Sequence, residues 1–302
     1  MKPFLLIDGN AIMHRAFHAL PPLTNVRGEV TNAVYGFCSM LLTVMAEVKP
    51  EYVAVCFDRP APTFRKELYE KYQQHRPKMP DDLVPQMGMI HEVLAAMRIP
   101  VFEMDGFEAD DVIGTLSVQA IEADTETEVI VVSGDRDLLQ LVNGQVKMLA
   151  PLTGIKKTIL YDREKVIEKF GVDPKQMIDY KALVGDPSDG YNGVAGIGPK
   201  TASDLLQKYE TVEGVYAHLG EISSKVAEKL QTGEADAELA KQLATIVLDV
   251  PVQFNPEKSR VSSLDWEGGR KAFEEQGFKS LINRLPKPKT AEKHVSDQLE
   301  LL

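Results

Sequence analysis

Apolar positions follow one rhythm in the first half of the chain and another in the second. Unbroken apolar runs at 3–7 (Pro-Phe-Leu-Leu-Ile), 52–57 (Tyr-Val-Ala-Val-Cys-Phe) and 128–132 (Glu-Val-Ile-Val-Val), with a weaker one at 146–149, read as buried strands. Between them the spacing becomes helical: Val34, Phe37, Leu41, Val44 and Val48 mark 31–48, and similar patterns cover 82–97 and 108–123. Strands alternating with helices predict a mostly parallel α/β sheet. After about residue 170 the strand rhythm stops, and 174–184, 199–208, 224–231 and 235–247 are helical by spacing and length, with Gly or Pro between them. A boundary at 165–172 divides an α/β unit (1–170) from a helical unit (171–285), and a polar, Pro/Lys-rich tail follows from 286 to 302.

Composition changes this picture little. The 302 residues are 44% hydrophobic and 26% charged, ordinary for one large core or two smaller ones. The apolar pieces are strand-sized, which argues against a membrane span, and the start turns acidic too early for a signal peptide. Cys38 and Cys56 sit among apolar residues and read as small core hydrophobes, so a reducing cytoplasm is expected. The net charge of -11 speaks against a nucleic-acid binder unless the acids are gathered to hold cations.

The acids do gather, at element ends. Asp8 follows the first strand and Asp58 the second; Asp135 and Asp137 follow the 128–132 run. Glu108, Asp110 and Asp111 open a helix, and Asp186 and Asp189 flank Pro187-Ser188. Strand carboxyl ends line the usual crevice of an open α/β sheet. Carboxylates crowded there raise each other's pKa unless hard cations such as Mg²⁺ sit among them, and two such ions suit phosphodiester hydrolysis. Each acid alone also reads as a helix cap or a turn residue, Asp58 before Arg59-Pro60 above all.

Two stretches suit a nucleic-acid backbone. Gly193-Val194-Ala195-Gly196-Ile197-Gly198-Pro199-Lys200-Thr201-Ala202 is a Gly-rich turn opening a helix, where backbone N–H groups can meet phosphate and Lys200 adds charge. Between 59 and 80, Arg59, Arg65, Lys66, Lys71, Arg76 and Lys78 interleave with Phe64, Tyr69, Tyr72 and His75. A plain loop and an exposed amphipathic helix are the alternatives.

Taken together, Leu6-Ile7-Asp8-Gly9-Asn10, Ala33-Val34-Tyr35-Gly36-Phe37, Val55-Cys56-Phe57-Asp58, Gly106-Phe107-Glu108-Ala109-Asp110-Asp111-Val112, Ser133-Gly134-Asp135-Arg136-Asp137 and Gly185-Asp186-Pro187-Ser188-Asp189 resemble, in order and spacing, the motifs of the 5′-nuclease domain of bacterial DNA polymerase I. Phage 5′-exonucleases and flap endonucleases belong to the same wider group. The resemblance covers roughly residues 3–285. It implies a PIN-like (resolvase-like) sheet followed by a helix–three-turn–helix subdomain, with the motif about 185–208 and a DNA-threading arch about 59–82. It implies a structure-specific 5′-3′ exonuclease or 5′-flap endonuclease of DNA replication and repair, acting on flaps, nicks and 5′ overhangs. Asp8, Glu108, Asp110, Asp111, Asp135, Asp137, Asp186 and Asp189 would be the metal-binding acids, holding two or more Mg²⁺ or Mn²⁺ ions. Arg76, Gln73 and Asp58 would act at the reaction centre. Arg65, Tyr72, Arg76, Lys78, Gly196, Gly198, Lys200 and Thr201 would contact DNA, with K⁺ at the helix–three-turn–helix element. A bacterial cytoplasmic, nucleoid-associated monomer is expected.

Two departures qualify the resemblance. The family's Tyr-Lys-x-x-Arg is Tyr72-Gln73-Gln74-His75-Arg76, which removes a cation from the arch and predicts slower cleavage. Its Ser-Asp-Asn-apolar-Pro is Ser188-Asp189-Gly190-Tyr191-Asn192. The chain reads as a stand-alone nuclease or as one part of a polymerase. Its last residues, Gln298-Leu299-Glu300-Leu301-Leu302, resemble the peptide with which bacterial proteins dock on the sliding clamp. The competing readings are a PIN-type ribonuclease, disfavoured by the helical half, and a catalytically weak DNA-structure binder, favoured by Gln73.

Overall fold

A computed structural model of the chain describes residues 1–153 and 157–287. The clamp-like peptide at 298–302 lies outside the described residues. Strand β1 (Lys2–Asp8) has β2 (Tyr52–Cys56) and then β3 (Val101–Phe102) on one side. On its other side lie β4 (Thr127–Val132), β5 (Val146–Thr153) and β6 (Lys157–Tyr161). Every pairing is parallel except β5 with β6. The chain builds outward from β1 to β3 and then returns to add β4 on the opposite flank of β1. The β1/β4 seam is therefore the point where strand order reverses, and its carboxyl end is where such sheets place their sites.

Five helices occupy the first part: α1 (Gly9–Ala19), α2 (Asn32–Val48), α3 (Phe64–Leu68), α4 (Val84–Ala96) and α5 (Ala109–Ala123). The central strands lack polar alternation because both faces are covered. Phe4 and Leu6 join Ala54, Val129 and Val131 beneath Val112, Ile113 and Leu116 of α5. Leu5 and Ile7 join Val53, Val55 and Ile130 beneath Ile12, Phe37 and Leu41. α6 (Arg163–Phe170) and α7 (Met177–Val184) lead into a two-residue antiparallel ladder, β7 (Gly185–Asp186) with β8 (Tyr191–Asn192). α8 (Pro199–Tyr209), α9 (Val212–Ala217), α10 (Ser224–Thr232) and α11 (Glu234–Ala244) follow.

The helical half shares the sheet's core: Ala202, Leu206, Val215 and Leu230 belong to the same apolar cluster as Phe4 and Val131. α12 (Pro256–Ser259), α13 (Trp266–Glu275) and α14 (Lys279–Ile282) return to the opposite face of the sheet. There Leu264, Phe273, Phe278 and Leu281 pack with Leu5 and Ile7. The expected helical unit 171–285 is thus not contiguous in space; its residues from 256 on complete the first core. The helix expected over 235–247 stops at Ala244. Polar side chains of α5 draw the next residues into extended backbone: Val247 N–H donates to Asp111 Oδ1 at 2.9 Å, and Val250 N–H donates to Thr115 Oγ1 at 3.1 Å. Among the described residues no helix is long and apolar enough to cross a membrane.

Candidate active site

β1, β2 and β4 end on one edge, and acids tie that edge together. Asp8 ends β1 and caps α1, accepting Ala11 N–H at 2.9 Å. Its other oxygen accepts Ser133 Oγ–H at 2.5 Å, across from β1 to the residue after β4. Asp58 lies just past β2; its Oδ1 accepts Ala109 N–H at 2.7 Å from the start of α5, and its own N–H donates to Asn10 Oδ1 at 3.1 Å. Asp135 N–H donates to Ser133 Oγ at 3.0 Å. Glu108, the N-cap of α5, accepts the Tyr72 hydroxyl at 3.2 Å.

These carboxylates crowd one another. Burial, followed by Asp58 and Asp135, pushes the Asp8 carboxyl up to about 7. Burial with Asp58, Asp111 and Asp189 does the same for Glu108, up to about 7, although Arg65 opposes it. Asp110 rises well above the carboxylate range; burial, Asp135, Asp8, Asp58 and Glu108 all act in that direction. Asp58 and Asp135 are raised chiefly by burial.

A second set stands beside the first. Asp137 opens a 3-10 turn, Asp186 lies in β7, and Asp189 sits in the turn that follows. Oxygens of the three lie within 4.8 Å of one another. The β7–β8 ladder brings Asp186 into place because Gly185 and Gly193 meet backbone to backbone; a Cβ at Gly185 (φ +77°) would fall 2.3 Å from Gly193 N. Lys181 of α7 extends its buried ammonium between Asp137 and Asp186, 2.7 Å from the latter. Burial raises the Asp186 carboxyl, but Lys181 and Ser188 outweigh it and hold Asp186 below its usual range.

Three expected site residues lie elsewhere. Asp111 is fully buried and faces away from the cleft. It takes a two-pronged pair from Arg65 at 2.7 and 2.8 Å and the N–H groups of Glu108 and Val247, so no lone pair faces an ion. Arg65 is 2% exposed and also donates to Leu243 O and Thr245 O. It joins α3 to α5 and the end of α11, and its charge is spent in the interior. Tyr72 is buried and stacked on Tyr191, so its face is closed to a base. The other acids converge.

Arg76 and Lys78 are exposed on the arch. The Arg76 guanidinium feels Asp189, Asp58, Glu108 and Asp135, which outweigh its desolvation. Gln73 donates to Asp189 Oδ1 at 3.0 Å. Gly196 (φ +78°) lies in the turn between β8 and α8, and Gly198 caps α8 without a side chain. Lys200 is exposed and Thr201 half-buried at the start of α8, whose first N–H groups lack a side-chain cap. Sequence reasoning missed Asn10, Ser133 and Lys181. The first two lie inside the quoted motifs, one or two residues from a strand end, but carry no assigned role there, and Lys181 lies in mid-helix with no motif around it.

The donor set fits hard divalent cations. It is oxygen-only, and its charges repel across a cleft where Asp110 has every influence against its ionised form. In chelator the crowding should be visible in stability. Asp8 and Glu108 hold their protons to about 7 in the fold, against 3.8 and 4.5 when free. The folded state then binds more protons than the unfolded chain between those limits, so stability falls as pH rises through the window. The thermal midpoint in chelator should drop from about pH 5.5 to about pH 7.5, and Mg²⁺ should restore it. A flat profile would refute the crowding.

Oxygen ligands gathered at the switch point of a parallel sheet, with an arginine across the cleft, define a metal-dependent phosphodiesterase. Family models give that class its particulars. Residues 3–171 match the 5′-3′ exonuclease N-terminal resolvase-like domain, and residues 172–267 match the 5′-3′ exonuclease C-terminal SAM fold. The chain belongs to the 5′-3′ exonuclease family. It is 44% identical over 283 residues to DNA polymerase I of Caldicellulosiruptor bescii, covering 93% of this chain and 33% of that protein. It thus spans about a third of the polymerase. It is 36% identical to the 5′-3′ exonuclease of Aquifex aeolicus, covering 95% of this chain and 96% of that one. T5 5′-exonuclease with bound zinc has the same fold, with a TM-score of 0.66 at 20% identity over 94% of this chain and 96% of that one.

Proposed function

We propose that the chain is a structure-specific 5′-nuclease that hydrolyses DNA phosphodiesters at 5′ flaps, nicks and 5′ overhangs. The carrying observation is the convergence of Asp8, Asp58, Asp110 and Asp135 at one sheet edge with the Asp137–Asp186–Asp189 group beside it, and Arg76 close to Asp58, Asp135 and Asp189. Asp8, Asp110 and Asp135, with Glu108 behind them, would hold one divalent ion. Asp137, Asp186 and Asp189 would hold another. Bound Mg²⁺ or Mn²⁺ would supply an activated water and the charge that steadies the leaving oxygen.

The chain's own residues do the rest. Arg76 meets the scissile phosphate with a charge aimed by the acids around it. Asp58 ties the end of β2 to the start of α5 through Ala109 N–H and stays a positioning residue. The Gly-rich turn before α8 and the start of α8, through Gly196, Gly198, Lys200 and Thr201, would grip the duplex backbone without reading sequence. Lys181 balances Asp137 and Asp186 when the cleft is free of ions. A K⁺ at the Gly196 carbonyl would have to share it with the Lys229 ammonium, which donates there at 2.9 Å. A monomer of the bacterial cytoplasm that works on the nucleoid and meets the sliding clamp through 298–302 follows from the resemblance and the tail sequence.

Incubating the chain with a labelled 5′-flap duplex tests the reading. Cleavage near the junction is expected with Mg²⁺ and none with chelator. Preference for RNA strands would instead support a PIN-type ribonuclease, and a gel shift without cutting in Mg²⁺ a non-catalytic binder.

A further inference from the structure

The two places where the sequence departs from its family, Gln73 and Gly190-Tyr191, touch each other in the fold. Gln73 adopts φ 53°, a left-handed backbone that residues with a Cβ seldom take. Two bonds to the same partner hold it there: its N–H donates to Asp189 O at 2.7 Å, and its Nε2 donates to Asp189 Oδ1 at 3.0 Å. Its Oε1 accepts Arg76 Nη1–H at 3.2 Å. Gly190 (φ +76°) lies directly beneath; a Cβ there would stand 3.3 Å from Lys71 O. Alongside, the Tyr72 and Tyr191 rings stack with centroids 6.4 Å apart and are buried against Ala240, Leu243 and Ala244 of α11. The Tyr72 hydroxyl continues the chain of contacts to Glu108.

The amide at 73 serves two partners of opposite charge at once. It donates to a carboxylate with one end and accepts from a guanidinium with the other. A lysine would donate to Asp189 but would set its charge against Arg76. A glutamate would accept from Arg76 but would face Asp189 with a like charge. We propose that Gln73 is a positioning residue that fixes the Asp189 carboxylate within the Asp137–Asp186–Asp189 group and aims Arg76 over the cleft, which makes the arch base and the 186–192 loop one unit. Gln73 then touches no phosphate, and its part in cleavage runs through Asp189 and Arg76. This rests on the nuclease reading and assigns a role within that site.

The test pairs Mn²⁺ binding by calorimetry with steady-state cleavage of a 5′-flap duplex, using the full chain. Gln73→Ala should weaken Mn²⁺ binding about tenfold, the scale on which partners that orient metal ligands act. It should lower kcat while KM changes less than about twofold. Gln73→Lys should also lose turnover. In an Asp189→Ala background, Gln73→Ala should change Mn²⁺ affinity by less than about twofold further, because the ligand it orients is already gone. Unchanged Mn²⁺ affinity in Gln73→Ala, or a gain in kcat in Gln73→Lys, would overturn the proposal. If the wild-type chain cut no substrate with Mg²⁺, the nuclease reading would fall, while the Mn²⁺ titrations would still decide the role of Gln73.

Discussion

Asp110→Asn should reduce flap cleavage by about a hundredfold or more, the scale set by loss of one fixed charge at a phosphoryl centre. The same change should raise the thermal midpoint in chelator. Asp110 is pressed by burial and by Asp135, Asp8, Asp58 and Glu108, all of which oppose its charge. Removing that charge relieves the repulsion, so activity and stability move in opposite directions, as expected where a site stores unfavourable electrostatics for function. Initial rates on a 5′-flap duplex and melting in EDTA measure the two effects. Wild-type turnover in the variant would remove Asp110 from the site. A fall in both quantities would mean that Asp110 serves the fold instead.

Arg65→Ala should remove roughly 3–5 kcal/mol of stability, as expected when one partner of a buried ion pair is lost and the other charge stays behind. Asp111 would remain fully buried with only the Glu108 and Val247 N–H groups to compensate it. Against a typical total of about 5–15 kcal/mol, that is a large fraction. Asp111→Asn should cost a similar amount, because it leaves the buried Arg65 guanidinium without its carboxylate and turns an N–H₂ group toward N–H donors. Urea midpoints at constant slope give both numbers. If Arg65→Ala kept its midpoint and instead weakened binding of flap DNA, the arginine would return to the DNA-facing role that the sequence suggests for it.

The contrast between Asp110 and Asp111 shows where sequence reasoning reaches and where it stops. Both open the same helix, and nothing in Glu108-Ala109-Asp110-Asp111 tells which one faces the cleft. The answer comes from Arg65, 46 residues away, and from Val247, 136 residues away, which claim Asp111 for the interior. Gln73 is a similar case. Read alone it looks like a missing cation; its partner Asp189 is 116 residues distant. The return of α12 to α14 onto the first core was equally illegible, because their apolar positions show that something is covered but not what covers it.

By itself the sequence determined the parallel sheet, the helices that flank it, and the placing of Asp8, Asp58 and Asp135 at strand ends. Those features follow from local periodicity, and a residue just past a strand has little freedom about which edge it occupies. Only the tertiary structure decided which acids share the cleft, that Arg65 and Tyr72 are interior, and that Lys181 stands between Asp137 and Asp186. Those outcomes depend on partners far apart in the chain, and a buried charge or hydroxyl takes whichever partner the packed fold brings within reach.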